Sequence, residues 1–160
     1  MFIPFSVRYK TKINKRIEAE DYPKTLKYIE DFMKKKTADE ISIRGNKLTF
    51  KCDFFKFGWN ANILSPLEKG IFNITNKGNE TIITYEFFMY RFFGIICVLS
   101  ITMGLVSHEF WFGIFCFAFL GGLNWVTALI RHQSMFTEIT DEISEFFIRN
   151  KNHLPEKGHI

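Results

Sequence analysis

Two apolar runs decide how this chain is built: FFGIICVLSITMGLV (92–106) and FWFGIFCFAFLGGLNWVTALI (110–130), separated only by Ser107, His108 and Glu109. Neither run holds a charged residue. The second is 21 residues long, about 31 Å as a helix, which matches the hydrocarbon thickness of a bilayer. The first has 15 residues. It reaches spanning length when 87–90 joins it and Arg91 extends its guanidinium to the headgroups. Three residues between the runs allow a tight turn and nothing more. The expectation is a transmembrane helical hairpin over 91–131, with spans 91–106 and 110–130 and a tip at 107–109. The competing reading, a buried hairpin in a soluble protein, requires a 160-residue chain to cover two wholly apolar helices.

Orientation follows from the flanks. Arg91 and Arg131 stand at the two outer ends, and the tip has neither Lys nor Arg. Basic residues stay on the cytoplasmic side, so both termini are expected there, in a cell membrane (the inner one in a bacterium). The N-terminus MFIPFSVRYK has no apolar core of signal-peptide length, and the head is expected to stay where it is made. Tyr90 and Trp125 suit one interface and Trp111 the other.

Inside the hairpin, a turn centred on His108 places Gly94 level with Gly122. It places Gly104 level with Phe112, one residue short of Gly113. Small residues at matched depth let helices approach closely. Ser100-x-x-x-Gly104 and Ala118-x-x-x-Gly122 have small-xxx-small spacing, and Gly121 adjoins the second pair. Asn124 is the one strongly polar side chain in either span. It reads as a hydrogen-bonding group for a neighbouring helix, as a polar lining for a pathway, or as an interfacial Asn satisfied by water or lipid headgroups.

Upstream, Phe5, Val7, Tyr9, Thr11 and Ile13 alternate with Arg8, Lys10 and Lys12, as along a strand. Tyr22, Leu26, Ile29 and Met33 then form one helical stripe, with Pro23 in the first turn. Strands are expected at 41–44 and 47–54 around Gly45-Asn46, and at 71–75 and 81–89 around 76–79. Leu48, Phe50, Cys52, Phe54, Ile83, Tyr85, Phe87 and Met89 form a greasy face; Arg44, Lys51, Asp53, Asn73, Thr84 and Glu86 form a wet one. One greasy and one wet face predict an antiparallel sheet covered on one side only. Phe57 and Trp59 lie in an aromatic-rich stretch expected to touch the membrane surface. After Arg131, Phe136, Ile139, Ile143 and Phe146/Phe147 continue a helical stripe, and no Gly or Pro occurs from Leu123 to Leu154. The second span and the following helix are therefore expected to be continuous and to dock on the sheet.

The predicted class is an α+β membrane protein: a cytoplasmic α+β domain over 1–90, the hairpin over 91–131, an amphipathic helix over 132–150 and a flexible tail over 151–160. Charge divides the same way. Residues 1–91 hold 17 Lys/Arg and 11 Asp/Glu, whereas 92–130 hold only Glu109. Cys52, Cys97 and Cys116 have no metal-ligand spacing, the four His are scattered, and no nucleotide-binding, hydrolase or metalloprotease motif occurs. No cofactor, metal or catalytic constellation is expected. The basic residues alternate with acids, which argues against nucleic acid. The partners expected are the lipid bilayer, a second copy, or another membrane protein. The function this implies is a non-catalytic assembly or accessory subunit. The alternatives are an oligomeric pore or transport component, and a membrane-bound sensor of a small molecule or lipid.

Overall fold

The computed structural model describes residues 6–14, 16–36, 38–52 and 67–152. Along the chain come β1 (Ser6–Ile13), α1 (Tyr22–Lys35), β2 (Glu40–Arg44), β3 (Lys47–Lys51), β4 (Lys69–Lys77), β5 (Glu80–Phe88), α2 (Tyr90–Val106) and α3 (Phe110–Asn152). The five strands form one antiparallel sheet in the order β1-β5-β4-β3-β2. This is an α+β fold.

Two glycine-asparagine turns set the hairpins. Gly45 (φ +58°) and Gly78 (φ +64°) each take the first central position between paired strands. A positive φ there matches the right-handed twist of the flanking strands, and glycine adopts it without a Cβ clash. The β4–β5 turn is two residues, Gly78-Asn79, rather than the four expected, because Asn76 and Lys77 stay in register with Thr81 and Glu80. Asn76 has a second task. Its amide donates to the Ile17 carbonyl (2.8 Å), the Ile17 N–H donates to Thr81 Oγ1 (2.8 Å), and Thr81 donates to Asn76 Oδ1 (2.9 Å). This closed ring ties the segment after β1 to the β4–β5 hairpin.

One sheet face is dry. Leu48, Phe50, Phe72, Ile74, Ile83, Tyr85 and Phe87 are fully buried on it. The Phe50 ring lies over its cross-strand partner Gly70, where an added Cβ would come within 2.2 Å of it. Two helices cover this face. α1 contributes Leu26, Ile29 and Met33; α3 contributes Met135, Phe136, Ile139, Ile143 and Phe147. Tyr85 is the hub, stacked on Phe72 (ring centroids 4.4 Å apart) and in ring contact with Phe87 and Phe136.

The 43-residue α3 therefore runs unbroken from the apolar hairpin into the sheet domain. Nothing in its sequence after Gly122 breaks a helix, and its second half has an apolar stripe that matches the dry face. Replacing Phe136, which is 5% exposed, by Ala should cost about 3–5 kcal/mol. Phe146, which is 50% exposed, should tolerate Ala within about 0.5 kcal/mol. Urea unfolding of the two variants checks the assignment, and equal losses would place the docked face elsewhere on α3.

Candidate functional site

The feature that sets this chain apart is the free arm made by α2 and the first half of α3. Its side chains are large, apolar and uncovered: Leu105 is 71% exposed, Phe110 76%, Trp111 78% and Ile130 64%. α3 is long and apolar enough to cross a bilayer, with only 17% of its most apolar window buried; α2, at 17 residues, is apolar but shorter. Soluble monomers rarely leave a contiguous apolar patch above a few hundred Å².

The two helices reverse at Ser107–Glu109, where His108 adopts φ 56°. His is among the non-glycine residues that enter this left-handed region more readily. The chain therefore turns between His108 and Glu109 rather than at His108, and every matched level shifts by one residue. Gly104 meets Gly113, with a Cβ on Gly113 falling 2.7 Å from the Ser100 carbonyl oxygen and 3.3 Å from the Gly104 Cα. Gly121 lies under Phe93 and Ile96, each 3.7 Å from the position of its absent Cβ. The expected approach of Gly94 to Gly122 does not occur, since a Cβ on either meets nothing within 4 Å. Ala118 and Gly122 are both exposed, outside the helix contact. Ser100 faces the contact, 4% exposed, and its Oγ has no hydrogen-bond partner.

The other polar groups of the arm are satisfied locally. Asn124 Nδ2 donates to the Leu120 carbonyl (2.7 Å), Thr102 Oγ1 to Val98 (2.9 Å) and Thr127 Oγ1 to Leu123 (2.8 Å). Each is a bond to the residue's own preceding turn. Among the expected anchors, Tyr90, Trp111 and Arg131 are exposed, and the Arg91 backbone N–H is held by the Glu68 carboxylate. Trp125 differs. It is half-buried, packed edge-on to Phe93 (5.4 Å) and against Phe87 (6.4 Å), so it joins the arm to the sheet. Phe57 and Trp59 lie outside the described residues.

The junction also contains a residue that the sequence reading passed over. His132 is completely buried. Its Nδ1 lies 3.0 Å from Tyr85 Oη, its ring stands 4.4 Å from that of Phe87, and its Nε2 has no partner. Burial, and then the neighbouring Arg131 charge, lower its pKa to about 4. Burial also raises the Tyr85 pKa well above the ordinary phenol value, so the hydroxyl keeps its proton. One turn earlier, Tyr9 Oη donates to the Leu129 carbonyl (2.8 Å). The signal was present in the spacing. His132 heads the same i, i+4, i+7, i+11 stripe as Phe136, Ile139 and Ile143. Among the described residues, no three His, Cys, Asp or Glu side chains gather as metal ligands would.

Comparison with protein-family models, curated proteins and solved structures finds no match.

Two measurements test this geometry. Gly113→Ala should lower thermal stability in detergent by about 1–3 kcal/mol, because the new methyl strikes backbone rather than a flexible side chain. Gly122→Ala should be neutral or slightly stabilising, since Ala is the better helix former. The second measurement follows pH. The unfolded chain, with His132 near the ordinary 6.5, takes up a proton before the folded chain, whose value is about 4. Stability is then full well above pH 6.5 and falls as the pH drops towards 4, with about 1.5 kcal/mol of the loss between 6.5 and 5. His132→Leu should flatten unfolding free energy across that window; an unchanged slope would mean that another group carries it.

Proposed function

We propose that this chain is an integral membrane subunit. In this reading α2 and the first half of α3 insert as a two-span hairpin in the cell membrane. Both termini and the α+β domain stay on the cytoplasmic side, and the protein serves as a non-catalytic assembly or accessory subunit. The observation that carries the reading is α3 itself. Residues 110–130 expose apolar side chains on nearly every side, while the buried stripe from His132 to Phe147 completes the core of the sheet domain. A stiff helix shared between the two parts fixes the domain's orientation against the bilayer, as a positioning subunit requires.

Geometry supports the pairing of the spans. α2 is about 26 Å long, and the antiparallel stretch 110–130 is about 31 Å. The shorter helix starts at Tyr90-Arg91, where a guanidinium reaches the headgroup layer without leaving its helix. β5 ends at Phe88 and α2 starts at Tyr90, so the sheet rests close to the membrane surface. The pore reading loses ground. Conduction needs polar groups facing a pathway, and Asn124, Thr102 and Thr127 spend their donors on their own helix.

Single-cysteine variants on a background lacking Cys52, Cys97 and Cys116 test the topology. A thiol at Lys24 or Glu142 should be labelled only from the cytoplasm, and one at Ser107 only from the opposite side. Labelling of position 107 from the cytoplasm would replace the two-span hairpin with a re-entrant one. Native mass spectrometry of the chain extracted from its own membranes should show a stoichiometric complex with another subunit or a second copy. A chain that is monomeric at every gentle extraction would defeat the subunit reading.

A further inference from the structure

The face of the sheet that α1 and α3 leave uncovered has a charge order that the fold does not need. Strand register places eight Lys and Arg on it against three Glu. Each Glu is taken by one cation: Glu86 by Arg8 (2.9 Å), Glu80 by Lys12 (3.1 Å) and Glu40 by Lys51 (2.7 Å). Five cations are left over. Three of them stand in one row that crosses all five strands, in the order Lys10, Thr84, Asn73, Lys47, Arg44. The row contains no acid. Among the described residues, the side chains of Lys10, Thr84, Asn73 and Lys47 have no hydrogen bond or ion pair, and both Lys are exposed. The same four line a shallow depression of about 380 Å³, whose other lining residues include Ile71, Ile82 and the ion-paired Arg8 and Glu86.

We propose that this depression binds the phosphate group of a small phosphate monoester. The chemistry of the row makes the selection. Two flexible ammonium groups flank a hydroxyl and an amide in a row three strand spacings long, about 14 Å from Lys10 to Lys47, so both lysines can lean in over the hydroxyl and amide between them. A phosphate monoester brings three peripheral oxygens and close to two negative charges, whereas a carboxylate brings two oxygens and one charge. Lysine serves phosphate as a mobile point charge and needs no fixed bidentate geometry. Ile71 and Ile82 offer a small apolar floor for the esterified part. Nucleic acid fits poorly. Among the described residues, the only aromatic ring on this face is Phe88, at its far end and packed on Tyr90, so no platform exists for stacking bases.

The proposal goes beyond the subunit reading and does not depend on membrane insertion. If the hairpin does insert, the row lies six residues up β5 from Tyr90, about 20 Å from the interface. With the strand upright that exceeds a Debye length at physiological salt, which favours a soluble ester over the headgroups of the same membrane.

Calorimetric titration of the full chain in a nonionic maltoside detergent decides the matter. Glycerol phosphate should bind saturably at one site per chain in the sub-millimolar range, and more tightly than succinate. Lys10→Gln and Lys47→Gln should each weaken it about tenfold or more. Lys24→Gln, on α1 and paired with Asp21, should leave it unchanged, with circular dichroism confirming that all three variants are folded. Absence of saturation in the millimolar range, equal affinity for succinate, or parental affinity in the Lys10 and Lys47 variants would overturn the proposal. Tighter binding of inorganic phosphate than of the ester would overturn the monoester assignment. Displacement of the ester by phosphatidylglycerol nanodiscs would reassign the site to a lipid.

Discussion

A single continuous helix with two different surroundings is the constraint on which the rest of this structure depends. Over its first half α3 displays apolar side chains outwards, and over its second half it hides them against a sheet. The helical backbone is indifferent to the change because it satisfies its own hydrogen bonds in either environment. The side chains are not indifferent, and they switch at one level. Leu129, His132 and Met135 meet Tyr9, Tyr85 and the dry face there, so the position of the sheet along α3 is set by a few contacts within two turns.

Magnitudes show which of those contacts governs. Five fully or nearly buried apolar side chains on the docked half each gain roughly 1.5–3 kcal/mol from leaving water. His132 opposes them. Its unpartnered Nε2 costs about 1–3 kcal/mol, in the range for a buried polar atom without a partner, and the Tyr85 hydroxyl bond returns part of that. Packing wins, and the imidazole is kept neutral by being enclosed. The histidine therefore adds little to stability at neutral pH, and its depressed pKa makes the junction lose stability as the pH falls below about 6.5.

The arm depends on glycine in a different way. Gly104 and Gly113 bring two helix backbones together without side chains between them, while Gly121 lies under Phe93 and Ile96 at a distance that an added methyl would tolerate. Gly94 and Gly122 look the same in the sequence and have no such role. The difference lies in where the chain reverses. His108 in a left-handed conformation moves the turn by half a residue, which changes every pairing below it. A spacing rule counts residues from an assumed centre and has no means of sensing that displacement.

The sequence by itself determined what depends on local periodicity: alternating strands, the amphipathic α1, the Gly45-Asn46 turn, two charge-free runs, and a long helix without a breaker from Leu123 to Leu154. It also placed Phe136, Ile139 and Ile143 on one stripe and assigned them a partner in the sheet. Tertiary structure decided the strand order, in which β1 returns to lie beside β5. Alternation tells a residue which face it occupies but not which strand is its neighbour. The same return brings Lys10 into one row with Thr84, Asn73 and Lys47, four residues from four strands with no common signature in the chain. Docking of α3 seats Tyr85 under His132, 47 residues apart. Local pattern follows from steric and hydrophobic preferences acting over a few residues, whereas these pairings exist only once the sheet has closed and α3 has docked on it.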